Sequence, residues 1–286
     1  MAAEAFVITE TLPMRIVLRI LAVVIAFCIL TVFTQVGGVI LLVAIVTWPI
    51  INRKISNRFA RFGAKLLSFV LLYSASTFIA IPILARQYNR VPLPMLETHG
   101  LKPRTIWTCV FNRNYCRPQL RNTALSVAGK MHKQYPGTVV NYLDSSFPLG
   151  NNFPLPFHLS HGDGRKLDVA FHYIDRQSGA PSNTTPSFDG YGIYEGPLKN
   201  EMDQQLLCRQ KGFAEYNFGS ENDHKEFLFD EQRTRSLTNF FASEPAIEKI
   251  FIEPHLETRL GLTDPKIRFQ GCHAARHDDH IHVQVK

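Results

Sequence analysis

The chain of 286 residues is 45% apolar and 19% charged, which is enough apolar matter for one or two packed domains and excludes wholesale disorder. Its formal charge of +7 is unevenly spread. Residues 1–100 carry nine Lys/Arg against three Asp/Glu, and residues 101–286 carry 22 against 21, so the larger part is nearly neutral and lacks the basic clustering of a nucleic-acid binder.

Three apolar stretches come first, at about Ile16–Phe33, Gly37–Ile51 and Leu66–Leu84. A bilayer core of roughly 30 Å takes about 20 apolar residues as a helix. The first and third stretches meet that, and the second is short. One helix over Ile16–Ile51 would be too long, so Gln35-Val36-Gly37-Gly38 is expected to break it into a hairpin. Residues 1–86 thus read as a membrane anchor of two to three transmembrane helices, with Arg19 snorkelling toward headgroups. The segment 52–65 reads as a short loop that holds Arg53, Lys54, Arg58, Arg61 and Lys65 and no acid. Positive loops stay cytoplasmic, so everything after about Arg86 is expected outside, on the periplasmic side of a bacterial inner membrane. Cys109, Cys116, Cys208 and Cys272 all lie in that outer part. Four cysteines in an oxidising compartment suggest two disulfides, and of the three pairings available Cys109–Cys116 with Cys208–Cys272 is favoured.

Residues 87–118, rich in Pro, Arg and Asn, read as a linker leading into a domain over 119–286. A helix is expected over Pro118–Gln134, with Leu120, Ala124, Val127, Ala128 and Met131 at helical spacing and a stop at Tyr135-Pro136-Gly137. A strand at Thr138–Leu143, loops over 144–166 and a strand at Leu167–Ile174 follow. Residues 175–223 are too long and too rich in Gly, Pro, Ser and Asn for a plain connection. A helix near Glu231–Ala242, a strand at Lys249–Ile252, a short helix at Pro254–Leu260 and a last strand at His280–Val285 complete the order. Helices and strands mix without strict alternation, so the fold class is α+β with a largely antiparallel sheet.

Two segments carry chemistry, Ser160-His161-Gly162-Asp163-Gly164-Arg165-Lys166-Leu167-Asp168 and His277-Asp278-Asp279-His280-Ile281-His282. In a strand, residues two apart share a face, so His280 and His282 project together. Two imidazoles side by side would fill a core poorly but suit one metal ligand and one proton-transfer group. His161, in a Gly-flanked loop, and Asp168, at the start of the next strand beside small Ala170, are close enough in sequence to meet. With His282 they supply two nitrogens and one oxygen, a three-ligand zinc set with a fourth position open. His280 would be the general acid or base, and His277 can fold back to the same site. His273, His255 and His172 read as loop or structural residues. Tyr191 and Tyr194 read as exposed loop residues that could line a substrate groove.

H-x6-D followed far downstream by H-x-H resembles the LAS metallopeptidases, which include D-Ala-D-Ala carboxypeptidases and dipeptidases. The nearest likeness is to the penicillin-insensitive murein endopeptidases, with SH-x2-G-x3-D (Ser160, His161, Gly164, Asp168) and HDDH-x-H (His277 to His282). The resemblance covers roughly residues 115–286. It implies a LAS-like zinc peptidase domain, Zn2+ on His161, Asp168 and His282, catalytic His280 with His277 in support, and hydrolysis of peptide bonds in peptidoglycan stem peptides. Partners would then be the cell wall and, through the helices, the lipid bilayer, with no nucleic acid. A D,D-carboxypeptidase or dipeptidase, or an inactive cell-wall-binding module, is the alternative. The sequence departs from the family in that Lys166 stands where Ala or Asp is usual, only four residues follow His282 where a family extension would be expected, and the membrane segments are atypical.

Overall fold

A computed structural model of the chain describes residues 13–156, 158–213, 219–220 and 226–286. It forms two compact units, Met1–Ser76 and Thr77–Lys286. Part of the loop-rich stretch 175–223 lies outside the described residues.

The first unit holds helices α1 (Met14–Thr34), α2 (Gly37–Lys54) and α3 (Arg58–Ala75). The chain breaks where the sequence predicts. Gln35 takes a positive φ of 66°, and the α2 backbone then passes so close to α1 that a Cβ on Gly38 would lie 2.1 Å from Thr31 Oγ1. The basic stretch 52–65 is mostly helical rather than a loop. Only residues 55–57 separate the two helices, because Asn57 caps α3 through Phe59 and Ala60 and Arg61 binds the carbonyl of Ile55. Apolarity ends at this point, but helix propensity does not. Among the described residues, three helical runs are long and apolar enough to cross a membrane: Met14–Thr34, Gly37–Lys54 and Arg58–Tyr88.

The third run continues into the second unit as a π-helical turn at Ser76–Ala80, α4 (Ile81–Ala85) and a 3-10 turn at Arg86–Tyr88. The elements that follow are β1 (Val91–Pro92), β2 (Leu101–Pro103), α5 (Ile106–Val110), β3 (Tyr115–Cys116), α6 (Pro118–Gln134) and β4 (Val140–Tyr142). After a 3-10 turn at Leu159–Asp163 come β5 (Lys166–Ala170), β6 (Tyr173–Asp175), β7 (Pro181–Ser182), α7 (Gln204–Gln210) and β8 (Phe227–Phe229). The remainder is α8 (Glu231–Ser243), β9 (Ile247–Phe251), α9 (Pro254–Arg259), β10 (Ile267–Arg268) and β11 (His280–Val285).

The class is α+β, and the sheets are largely antiparallel. The main sheet has six strands in the order β10-β9-β11-β5-β4-β2, with parallel pairs only at its two edges. β1 pairs with β3, and β7-β6-β8 form a third sheet. Helix α6 starts on Pro118 and buries the six-residue stripe of Leu120, Thr123, Ala124, Val127, Ala128 and Met131. Its apolar members and Leu237 and Phe241 of α8 join one core with Val169, Ile250, Ile281 and Val283 from the sheet. Residues 87–118, read from composition as a linker, supply β2 at the sheet edge and Leu93, Leu101 and Cys109 to this core.

Two expectations need correction. The strand expected over Leu167–Ile174 is two strands in different sheets. Between them the His172 amide donates to Thr234 Oγ1 (3.1 Å) and its carbonyl accepts from Asp230 (2.9 Å), so the start of α8 captures the backbone there. Of the two disulfides, Cys208–Cys272 is formed, and Cys109 and Cys116 are free buried thiols. Cys109 meets the Tyr142 hydroxyl (3.3 Å), and Cys116 is held opposite Val91 by the β1–β3 register. Burial pushes the Cys116 thiol up to about 12. The Cys208–Cys272 link closes 64 residues, for which the chain-entropy model gives about 4 kcal/mol.

Candidate metal centre

The sheet register builds the site. β11 lies between β9 and β5, with His282 opposite Asp168 and His280 opposite Ala170. Cross-strand neighbours on one face stand about 5 Å apart, so both histidines overhang Asp168, and the small Ala170 leaves room beside it. His161 arrives from the 3-10 turn before β5. Gly164 ends that turn at a φ of 72°, where a Cβ would stand 3.0 Å from Arg90 Nε.

His161 Nε2 is 3.4 Å from Asp168 Oδ1 and 3.2 Å from His282 Nδ1, and His282 Nδ1 is 2.8 Å from Asp168 Oδ1. Ligands on a tetrahedral ion with bonds of about 2.0–2.1 Å sit about 3.3 Å apart. His161 Nδ1 lies 2.6 Å from the Ser145 carbonyl, to which it can only donate. In the neutral ring Nε2 is then a lone pair, aimed at a carboxylate oxygen and a second imidazole. That lone pair, the carboxylate oxygen and His282 Nδ1 converge on one buried point, so the donor set fits a metal ion.

A further imidazole stands at the same carboxylate. His158 Nδ1 is 3.2 Å from Asp168 Oδ2, and His158, His161 and Asp168 together form a group able to hold a metal ion. The Tyr191 hydroxyl is 2.9 Å from Asp168 Oδ2 and 3.2 Å from an oxygen of Asp144, which also accepts from Arg113 (2.7 Å). Tyr191 is therefore half-buried against the site rather than an exposed loop residue, and burial with Asp144 and Asp168 raises its pKa well above the ordinary value. His158 has a faint sequence signal. It lies three residues before His161, and in a 3-10 turn side chains three apart eclipse.

His280 Nδ1 bonds the Asp279 carboxylate, and its Nε2 lies 3.6 Å from Asp168 Oδ1. Burial opposes its charge, but Asp279 and Asp168 outweigh burial and lift its pKa to about 9. His282 goes the other way, down to about 4, because burial dominates there. Burial also weighs against the charge of Asp168, yet His161 and His280 hold it well below the usual carboxylate range. The ring of His277 is 4.8 Å from that of His280, and burial with its histidine neighbours keeps it neutral. His273, His255 and His172 stand apart. His273 packs edge-on to Phe213, His255 bonds the Glu195 carbonyl (2.7 Å), and burial lowers His172 to about 3. Tyr194 is buried under the Arg276 guanidinium.

Arg90, 1% exposed, braces the loops around the centre. Its guanidinium donates to the Phe147 carbonyl (2.7 Å), the Gly150 carbonyl (3.0 Å), the Gly162 carbonyl (2.7 Å) and Ser146 Oγ. Those contacts grip the chain next to His161 and next to Ser145, which orients His161.

Behind His277 lies Glu253, whose Oε1 accepts from the His277 amide (3.2 Å). Burial, aided by Asp278, raises its pKa to about 7. A carboxyl raised in the fold contributes stability below its unfolded value near 4.5 and loses it as pH climbs to about 7. Glu253→Gln is therefore expected to leave stability unchanged at pH 4 and to raise it above pH 7 by up to about 3 kcal/mol. Denaturant titrations of both proteins across that range check it, and parallel pH curves would contradict it.

No family model matches the chain, and no curated protein is significantly similar to it.

Proposed function

We propose that the protein is a membrane-anchored, zinc-dependent peptidase that hydrolyses peptide bonds in cross-linked peptidoglycan stem peptides, on the outer side of a bacterial inner membrane. The observation that carries this reading is the meeting of His161 Nε2, Asp168 Oδ1 and His282 Nδ1 within 3.4 Å of one another, with His280 beside them. Two imidazoles and a carboxylate are a zinc donor set. The H-x6-D and HDDH-x-H resemblance supplies the substrate class and the LAS-like domain. The basic 52–65 stretch supports the orientation.

His161, Asp168 and His282 would hold a zinc ion, which would supply Lewis acidity to a scissile carbonyl and make a water more acidic. The chain's own groups do the rest. Asp279 holds His280 Nδ1, so that Nε2 faces the centre, and the charge that Asp279 and Asp168 hold on the ring lets it steady a developing oxyanion and give its proton to the departing amine. Tyr191, with its hydroxyl on Asp168 and its ring 5.1 Å from that of His280, walls the same space. His277, kept neutral, packs behind His280 and fixes its ring.

The test is digestion of purified sacculi by the full chain in detergent micelles, with and without chelator and with zinc restored. Cross-linked dimers are expected to fall to monomers, to persist with chelator, and to fall again with zinc. Unchanged dimers under all conditions would reject the endopeptidase reading. Loss of only a terminal residue would favour the carboxypeptidase. His158, a fourth nitrogen on Asp168, favours a second reading: four protein donors close a site, and a closed site is structural. Bound zinc with no muropeptide released would support that binding module.

A further inference from the structure

The third membrane run has its uncharged part at residues 66–85, between Lys65 and Arg86. Twenty helical residues span about 30 Å, the thickness of a hydrocarbon core. Phe78 and Pro82 lie four to eight residues before Arg86, roughly 6–12 Å inside that end at 1.5 Å per residue. They share one cleft with Leu93, Met95 and Cys109, all within the second unit. Those three residues therefore sit at the depth of the last turns of the span. Asn114 and Arg121 also line that cleft, and beside it apolar side chains lie open. Leu96 is 74% exposed and Trp107 is 50% exposed, with Met95 and Ile106 also exposed. Neither Val91–Leu96 nor Ile106–Phe111 contains a charged residue. Trp107 stacks on Phe111 and presents an indole, the side chain that favours the headgroup boundary.

We propose that Met95, Leu96, Ile106 and Trp107 form a lipid-docking patch by which the folded domain itself enters the leaflet that holds the end of its third span. The occupant is the bilayer, because the patch is continuous with residues of the span. An unpartnered apolar surface of this kind needs a cover. The proposal rests on the membrane reading of that span and is independent of the zinc centre.

The chain has two tryptophans, Trp48 in α2 and Trp107, which separates the two readings. The full chain is placed in phosphatidylcholine vesicles with or without lipid brominated near the top of the acyl chain. Trp48→Phe leaves Trp107 as the reporter, and Trp107→Phe leaves Trp48. Both reporters are expected to lose emission about twofold in brominated vesicles, as interfacial indoles do. Trp48 quenched with Trp107 unaffected would overturn the docking patch alone. Neither quenched would overturn the membrane reading and the patch with it. A Trp107 emission that is blue-shifted but insensitive to bromine would assign the patch to a protein, a second copy of this chain included, and would also overturn the proposal.

Discussion

Asp168→Asn is expected to abolish metal uptake, with affinity falling roughly a thousandfold, which is about 4 kcal/mol at 1.4 kcal/mol per tenfold. Asp168 is fully buried, and one of its oxygens meets His161, His280 and His282. An amide keeps the size of the side chain and loses its charge. Nothing then offsets a divalent ion in the buried site, and the rings of His161 and His282 face a neutral group. The hydrogen bond of Asp168 N–H to the Asp144 carbonyl belongs to the backbone and is untouched, so β5 should hold its register. Competition against a chromophoric chelator gives the affinity, and the amide-region circular dichroism reports the fold. Tight stoichiometric binding by the variant would remove Asp168 from the donor set. Under the proposed function, muropeptide release disappears in the same variant.

Arg90→Gln is the second large effect. One buried guanidinium reaches the loop at 146–150 and Gly162, so its loss leaves several carbonyls without their donor. Hydrogen bonds to a charged donor are worth about 1.5–3 kcal/mol each, and a buried network loses them together. A stability loss of about 4 kcal/mol is therefore expected in denaturant titration. Arg90→Lys restores the charge without the planar fork, so it should recover part of the stability while metal binding stays weakened, because the fork fixes Gly162 beside His161 and Ser146 beside Ser145. Metal affinity recovering in step with stability would reduce Arg90 to a packing residue. Its amide also donates to the carbonyl of Ala85 (3.0 Å), the last residue of α4. A fragment cut just after the apolar run is thus expected to lose this brace first.

What was legible in the sequence follows from periodicity and distance. α6 came out with its observed bounds because its apolar spacing, its leading proline and Gly137 all agree. The histidines of β11 share a face because strands alternate, and Asp168 meets them through a register that alternation alone could not specify. The division of β5 from β6 was hidden, since it depends on Thr234 and Asp230, some 60 residues away, catching the backbone at His172. The free state of Cys109 and Cys116 was hidden likewise, because Val91 and Tyr142 dictate where those thiols stand. Tyr191 reaches Asp168 only through loop geometry that leaves no periodic trace, and His158 leaves no more than its spacing of three from His161.

The position of β11 in the main sheet has a consequence for timing. It is the last of the six strands in chain order, yet it lies between two strands made long before. His282 meets His161 across 121 residues, so every polypeptide still under synthesis and shorter than that strand has a gap where the sheet should close. Such long-range pairing is slow. Whatever chemistry the centre performs stays switched off until β11 has been made and slots between its older neighbours.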